Sequence, residues 1–267
     1  MFPNPIEVGP LNISHYGIMV ALGVVAAMIL FSFTAPRRGV NPAMARDFCF
    51  WMVIAGLLGS RIAYVVFHWP EFSGRPMDVL AYWRGGLMFQ GGVVAALLLS
   101  PFILKRYMLP FWPTADTMVP SLAIGQAFGR LGCFAAGCCF GRPTTPDNPL
   151  SMAFPYGGLA PAGIPLWPAQ LIESAGLFAL TFILIGAVRS QKRFFSCLGR
   201  VAALYLFGAG TLRFLMDYYI RGDYRGEPVL YGFPPTTVAA AAAAALGLAL
   251  LFLRRPTPGS RSWQLFT

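Results

Sequence analysis

Charged side chains are scarce in this sequence, and their scarcity excludes an ordinary water-soluble domain. Asp, Glu, Lys and Arg together make up 11% of the 267 residues, whereas soluble domains carry about 25%. Hydrophobic residues make up 57%, and the mean hydropathy is +0.62. We therefore expect an all-α, polytopic integral membrane protein that forms one membrane-embedded domain over residues 1–267.

Acidic residues and histidines are rarer still. The chain has 10 Asp and Glu against 20 Lys and Arg, which gives a net charge of +10, and it has 2 histidines. Such a charge could suit nucleic acid, but the basic residues flank hydrophobic stretches as topology signals do, so we expect no nucleic-acid partner. The first ten residues lack a basic segment, which predicts an uncleaved first span instead of a cleaved signal peptide.

Seven hydrophobic stretches are long enough to cross a bilayer, which takes ~20 apolar residues. They cover approximately residues 14–34, 46–67, 86–104, 114–134, 166–189, 200–220 and 233–253. One set of alternate connections is strongly basic, with Arg37, Arg38, Arg46, Lys105, Arg106, Arg189, Lys192, Arg193, Arg200, Arg254, Arg255 and Arg261. The other set mixes both signs, with Arg75, Arg84, Arg142, Arg221, Arg225, Glu71, Asp78, Asp147, Asp223 and Glu227. The positive-inside rule then predicts an external N-terminus and a cytoplasmic C-terminus.

Three arginines lie inside the predicted spans: Arg61, Arg130 and Arg213. A guanidinium in hydrocarbon costs at least ~2.5–3.5 kcal/mol, so it needs a partner there. Its planar set of donors suits phosphate. The predicted orientation places these arginines near the outer face, together with His15, Tyr16, Gln90, Gln170 and Glu173. The pattern indicates an outward-facing site that binds an anionic lipid headgroup.

The strongest local motif is GQAFGRLGCFAAGCCFGRP at residues 125–143. Gly125, Gly129 and Gly132 have near-helical spacing, which close helix packing alone could explain. Packing leaves Arg130 unexplained. Because glycines flank it, a headgroup or another backbone can approach the guanidinium, and we predict a functional role for Arg130.

Two further motifs place polar residues on one helix face. In GTLRFLMDYY, Arg213 and Asp217 are four residues apart, so we expect an ion pair. The pair could be purely structural, or it could hold Arg213 in place while part of its guanidinium binds phosphate. In PLWPAQLIES, Gln170 and Glu173 are three residues apart. A glutamate in a span needs a cation, which one of the three arginines named above would supply.

The cysteines at 133, 138 and 139 form a C-x4-C-C cluster with three competing interpretations. They could form a disulfide, or stabilise the loop as thiols, at an oxidising outer face. Cys138 or Cys139 could be a reactive thiolate, activated by Arg130 or Arg142, that acts as a base or nucleophile. The cluster could bind a metal, although its spacing is not a standard zinc pattern and the sequence has only His15 and His68 besides.

In this order and across seven spans, the motifs resemble the bacterial prolipoprotein diacylglyceryl transferases. The family's signature reads approximately G-R-[LI]-G-N-F-x-N-G-E-x-x-G, and the matching residues here are Gly129, Arg130, Leu131, Gly132, Phe134, Gly137 and Gly141. The other matches to family motifs are Tyr16-Gly17, Gly59, Arg61, the pairs Gly85-Gly86 and Gly91-Gly92, Pro168, Gln170, Glu173, Arg213 and Asp217. The resemblance covers nearly the whole chain.

This resemblance implies an enzyme that transfers the diacylglyceryl group of phosphatidylglycerol to the lipobox cysteine of preprolipoproteins, the first step of lipoprotein maturation. It implies a bacterial cytoplasmic (inner) membrane location, a signal-peptide substrate in the bilayer, and no metal or soluble cofactor. The predicted catalytic residues are Arg130, Arg213, Gln90 and Cys138. The predicted substrate-binding residues are Tyr16, Arg61, Gly129, Cys133, Gln170, Glu173 and Asp217.

Several positions depart from the family pattern. Gln90 stands where the family carries a histidine that is usually considered important for catalysis, and an amide cannot take a proton at neutral pH. Cys133 and Cys138 replace an asparagine and a glutamate, while Trp167 replaces a histidine and Ala209 a tyrosine. Three alternatives therefore stay open: a paralogue with another lipid or acceptor, a membrane thiol oxidoreductase using the cysteines, and a non-catalytic lipid carrier. By position, His15 is a candidate replacement proton acceptor.

Overall fold

The computed structural model describes residues 6–8, 11–82, 85–155, 160–190, 192, 194–221 and 233–253. Within them, seven long helices run α1 (His15–Thr34), α2 (Pro42–Phe67), α4 (Phe89–Arg106), α5 (Phe111–Ala136), α6 (Ala169–Arg189), α7 (Arg200–Leu215) and α8 (Pro235–Leu253). A short α3 (Trp69–Phe72) and 3₁₀ turns at Ala35–Arg38 and Pro76–Leu80 lie between them. A π-helical turn, Met216–Ile220, extends α7.

Two small antiparallel hairpins complete the described structure. Strand β1 (Ile6–Val8) pairs with β2 (Leu11–Ile13), with Glu7 opposite Asn12. Strand β3 (Met152–Ala153) pairs with β4 (Pro165–Leu166) in the connection between α5 and α6. The predicted topology signals at Arg84, Arg193, Asp223, Arg225, Glu227, Arg254, Arg255 and Arg261 lie outside the described residues.

Each predicted span coincides with one of the long helices, and the differences at the ends have local causes. The second helix begins earlier than predicted because the Asn41 side chain accepts a hydrogen bond from the Ala43 N–H and caps Pro42 at the first position. The third long helix, α4, begins later than predicted because Gly85 and Gly86 adopt positive φ angles of 80° and 74°, which glycine tolerates and a helix excludes.

Five of the long helices are long and apolar enough to cross a membrane: α1 with its following 3₁₀ turn, α2, α4, α6 and α8. Of the other two, α7 has 16 residues before its π turn, which is short of the ~20 that a bilayer requires. Helix α5 has 26 residues but includes Asp116 and Arg130. The helices therefore form a polytopic membrane protein.

The helices pack in the spatial order α4, α2, α1, α5, α6, α7, α8, and α5 also contacts α7. Glycines allow the closest crossings. A Cβ added at Gly59 would lie 2.2 Å from the Ala95 Cβ and 2.7 Å from the Gly91 carbonyl oxygen, so α2 and α4 meet with their backbones nearly in contact. The packing order brings α5, α6 and α7 together, and these helices carry Arg130, Glu173 and Arg213.

A fully buried carboxylate fixes the start of α7 against α5. Asp116 is 0% exposed, and its two oxygens accept hydrogen bonds from the Gly199 N–H at 2.7 Å and the Ala202 N–H at 2.9 Å. Asp116 thus satisfies donors that the first turn of a helix cannot satisfy internally. The opposite end of α7 is thereby held in register with the last turns of α5.

Candidate functional site

Glu173 on α6 is the common partner of three arginines. Its Oε1 lies 2.9 Å from Arg130 Nη2 and 3.4 Å from Arg213 Nη1, and its Oε2 lies 3.9 Å from Arg221 Nη1. The glutamate side chain is only 6% exposed. The prediction that Glu173 pairs with a guanidinium is confirmed, and helices α5, α6 and α7 meet at this carboxylate.

Asp217 forms a second junction one helical turn beyond Arg213. Its Oδ1 lies 3.1 Å from Arg213 Nη2 and 3.4 Å from Arg221 Nε, and its Oδ2 accepts a hydrogen bond from the Thr237 hydroxyl at 3.3 Å. The predicted Arg213–Asp217 ion pair is therefore present. We call the five residues Arg130, Glu173, Arg213, Asp217 and Arg221 the arginine cluster. Three guanidiniums against two carboxylates leave one formal positive charge.

Two members of the arginine cluster remain accessible. The side chains of Arg130 and Arg213 are each 22% exposed, whereas that of Arg221 is 4% exposed. Among the described residues, the ion pair of Arg130 engages Nη2 and leaves Nε and Nη1 for another acceptor. A Cβ added at the preceding residue, Gly129, would meet nothing within 4 Å, so the helix surface next to Arg130 in sequence is not covered by another element. These donors can bind an anion without breaking the ion pairs.

The π-helical turn brings Arg221 into the cluster. It widens the end of α7, and Arg221 follows it directly, with its backbone paired to Gly141. Arg142, in the connection between α5 and α6, stabilises the end of the π-helical turn. Its Nε donates to the Arg221 carbonyl at 2.8 Å, and its Nη2 donates to the Tyr218 carbonyl at 2.6 Å. The hydrophobicity pattern places Arg221 in a connection outside the spans. Its four-residue spacing from Asp217 is the signal that could have placed it in the cluster.

Gln170 joins α6 to the turn that follows α5. It is 1% exposed, and its Nε2 donates to the Cys138 carbonyl at 2.7 Å. Its Oε1 is buried and has no hydrogen-bond partner among the described residues. Gln170 lies one helical turn before Glu173, so the Cys138 turn and the arginine cluster share the first turns of α6.

The cysteine cluster lies beside this junction. Helix α5 ends at Ala136 with Gly137 at a φ of 69°, and the sulfur atoms of Cys133, Cys138 and Cys139 lie within 4.8 Å of one another. All five cysteines of the chain are thiols in this structure. Hydrogen bonds that the Cys138 thiol donates to Cys133 and Cys139, together with burial, raise the pKa of that thiol above its usual range. The interpretation of Cys138 as a base or nucleophile stays a prediction.

Tyr16 borders both clusters from the start of α1. Its ring packs on Gly132, where an added Cβ would lie 3.1 Å from the Tyr16 Cδ2. The residue is 45% exposed and lies near Arg130 and the three cysteines. The structure thus brings together Tyr16, Gly129, Arg130, Cys133, Cys138, Gln170, Glu173, Arg213 and Asp217 from the predicted site.

Arg61 lies elsewhere and is fully engaged. It is 4% exposed, and its Nε, Nη1 and Nη2 donate to the backbone carbonyls of Asp78, Val79, Ala81, Gly85 and Gly86. Its guanidinium carbon also lies 5.4–5.9 Å from the ring centroids of Tyr64, Phe72 and Tyr82. A guanidinium has five N–H donors, and five carbonyls use them here. This geometry gives Arg61 a role in holding the 76–86 segment and offers no donor to a substrate.

Gln90 lies in the first turn of α4 with an exposed side chain. The main helix contact of α4 is with α2, at the other end of the packing order from α7 and α8. The structure therefore does not bring Gln90 into contact with the arginine cluster, and its catalytic role stays a prediction.

A cavity of about 330 Å³ opens beside Asp217, on the side of α7 that faces α8. Its lining combines aromatic rings with the charged residues, and consists of Arg142, Asp217, Tyr218, Tyr219, Phe233, Pro234 and Thr237. Asp217 thus has one oxygen in the arginine cluster while its side chain borders a cavity that is partly lined by aromatic rings.

Comparison with known proteins gives one consistent result. A family described as "Prolipoprotein diacylglyceryl transferase" matches residues 3–253. A phosphatidylglycerol–prolipoprotein diacylglyceryl transferase of Synechococcus elongatus is 32% identical over 262 residues, which covers 96% of this chain and 90% of that protein. The second enzyme of that name in Clostridium perfringens is 32% identical over 221 residues, covering 83% and 84%. The chain belongs to the prolipoprotein diacylglyceryl transferase family.

Proposed function

We propose that this protein transfers the diacylglyceryl group of phosphatidylglycerol to the lipobox cysteine thiol of preprolipoproteins. The observation that carries the proposal is the convergence of Arg130 and Arg213, both partly exposed, on one oxygen of Glu173. The names of the relatives, phosphatidylglycerol–prolipoprotein diacylglyceryl transferases, supply the two substrates.

The reaction exchanges one bond for another. The acceptor sulfur forms a thioether bond to the glycerol carbon of the diacylglyceryl group, and the bond between that carbon and the phosphate oxygen breaks. Its electron pair stays on glycerol phosphate, which leaves, and the thiol proton passes to solvent. A phosphodiester with one negative charge thereby becomes a monoester that approaches two.

The arginine cluster suits this change in charge. Its surplus of one positive charge matches the intact phosphodiester, and the unengaged donors of Arg130 can strengthen their contacts as negative charge develops on the leaving oxygen. Glu173 and Asp217 fix the guanidiniums before the reaction, so little reorganisation is needed. Loss of one such preorganised donor costs about 10²–10³ in rate.

Neighbouring residues have supporting roles in this proposal. Tyr16 and Gly129 border the open side of Arg130, where the headgroup would enter. Gln170, which donates to the Cys138 carbonyl, would hold the turn after α5 in place beside the headgroup. The aromatic cavity between α7 and α8 is large enough for an apolar side chain of the acceptor's signal peptide. The acceptor and the lipid would then approach Asp217 and Arg213 from different sides.

We further propose that all seven long helices span the bacterial inner membrane, with the N-terminus outside, the C-terminus in the cytoplasm and the arginine cluster near the outer face. The alternation of basic connections supports this orientation. Insertion of a guanidinium is less costly near an interface than at the bilayer centre. This difference favours a position of the arginine cluster close to the membrane surface.

Mass spectrometry of a synthetic lipobox peptide tests the proposal. The purified protein is reconstituted in vesicles that contain phosphatidylglycerol, and the peptide is expected to gain the mass of one diacylglyceryl group while glycerol phosphate is released. Vesicles of phosphatidylethanolamine and a peptide with serine in place of cysteine are the controls. Phosphatidylglycerol retained by the protein without any modified peptide would instead indicate a lipid carrier.

A further inference from the structure

The three sulfur atoms of Cys133, Cys138 and Cys139 form a compact group that the proposed transfer reaction does not use. They lie within 4.8 Å of one another, with Cys133 and Cys138 half-buried and Cys139 buried. Cys133 belongs to the last turn of α5, whereas the other two follow that helix. Three sulfurs from adjoining turns thus face one small volume.

The backbone of the α5 terminus creates this arrangement. Gly137 adopts the left-handed conformation, and the Cys138 N–H donates to the Cys133 carbonyl at 3.0 Å, which folds the chain back over the last helical turn. Cys139 has a φ of 58°, an unusual value for a residue with a side chain. Gln170 then holds the Cys138 carbonyl from α6. The cysteine positions are therefore fixed by contacts outside their own side chains.

The spacing of the sulfurs fits three ligands on one metal ion. Sulfurs that each lie about 2.3 Å from a shared ion are about 4 Å apart, and the observed separations within 4.8 Å require small adjustments of side-chain rotamers. A disulfide would use two sulfurs and leave the third without a role. Thiolate ligands select soft or borderline cations and exclude Mg²⁺ and Ca²⁺.

We propose that Cys133, Cys138 and Cys139 bind one thiophilic d¹⁰ cation of the Zn²⁺ or Cu⁺ class. Each sulfur binds as a thiolate, so three protons are released to solvent for each ion bound. With Zn²⁺ the site carries one net negative charge, and the guanidinium of Arg130 lies one helical turn away on the same helix. A solvent molecule can complete a fourth coordination position.

Such an ion would stabilise the turn beside the proposed active site. Cys133 is three residues beyond Arg130 on the same face of α5, and the Cys138 carbonyl is bound by the α6 residue one turn before Glu173. Metal binding at the sulfurs would therefore restrict both helices that contribute the Arg130–Glu173 ion pair. The site itself does not depend on the proposed transferase activity.

Cobalt titration of the full-length protein tests this site without an activity assay. The detergent-solubilised chain is reduced, stripped of metal and titrated anaerobically with Co²⁺, whose thiolate charge-transfer and d–d absorption bands report the number and geometry of sulfur ligands. We expect one Co²⁺ per chain with bands of three-sulfur coordination, displaced by stoichiometric Zn²⁺. In C133S, C138S and C139S the affinity is expected to fall at least about a hundredfold. The C49S control, in α2, is expected to bind as the wild type does.

Two results would overturn the proposal. One is the absence of a thiolate charge-transfer band in the folded wild-type protein. The other is a Co²⁺ affinity that is unchanged in the single serine variants or that falls in C49S as it does in them. Because the spectrum of the wild type reports coordination directly, the test remains decisive even if a variant fails to fold.

Discussion

Replacing Glu173 by glutamine removes the charge at the centre of the arginine cluster while preserving the shape of the side chain. Arg130 loses its carboxylate partner at 2.9 Å, whereas Arg213 keeps Asp217 at 3.1 Å. The three guanidiniums then face one carboxylate, so the surplus charge rises from one to two. Binding of the anionic lipid should persist, but the orientation of Arg130 should not.

The size of the effect follows from the burial of these groups. Removing one member of a buried ion pair costs about 3–5 kcal/mol, and because Arg130 and Arg213 are each 22% exposed we expect the lower end, about 3 kcal/mol. Loss of the preorganised orientation of Arg130 should lower kcat about a hundredfold, which corresponds to about 2.7 kcal/mol of transition-state stabilisation. The KM for phosphatidylglycerol should not rise.

Thermal unfolding in detergent and initial rates of peptide lipidation in vesicles measure the two effects separately. The matched control is E71Q, which makes the same chemical change at an exposed position in α3 and should alter neither quantity. If E173Q retained the wild-type melting temperature and a kcat within about threefold of wild type, the assignment of Glu173 as the residue that orients the guanidiniums would be wrong.

Two further substitutions test the framework around the site. R61A leaves five backbone carbonyls without their donor, and it should lower the free energy of unfolding by at least about 3 kcal/mol. Hydrogen exchange in residues 76–86 should become faster. If exchange in R61A were no faster than in the exposed R75A control, Arg61 would not have this structural role. G59A places a Cβ 2.2 Å from the Ala95 Cβ and should destabilise the α2–α4 contact by about 1–3 kcal/mol, as read by thermal unfolding. At Gly56 an added Cβ meets nothing within 4 Å, so G56A is the matched control. If G56A and G59A lowered the melting temperature equally, the close contact between α2 and α4 at Gly59 would be contradicted.

The long helices are well predicted from the sequence because their signal is local. Twenty-residue apolar stretches are visible in composition alone, and the Arg213–Asp217 pair follows from helical spacing. The ends of the helices are less predictable, since they depend on the Asn41 cap and on the positive φ angles of Gly85 and Gly86. These features determine where a helix starts without changing the hydrophobicity of the span.

The candidate site is predicted incompletely from the sequence because tertiary contacts decide which groups each arginine binds. Arg61 and Arg130 look alike in sequence, as single arginines near glycines within apolar stretches. The donors of Arg61 bind backbone carbonyls of a loop, whereas Arg130 pairs with Glu173 and keeps donors available. Arg221 is missed because the hydrophobic stretch ends just before it, and its four-residue spacing from Asp217 is the one sequence signal that places it beside the cluster. Backbone acceptors carry no side-chain signature, so sequence alone cannot distinguish these arginines.

The initial rate of lipobox-peptide lipidation by R130Q and R213Q, compared at equal amounts of folded protein, tests the proposed role of the arginine cluster most directly. We predict that each variant still folds and inserts, and that each loses at least about a hundredfold in kcat/KM with phosphatidylglycerol. If either variant transferred the diacylglyceryl group within about threefold of the wild-type rate, that arginine would not stabilise the leaving phosphate, and the proposed mechanism would be contradicted.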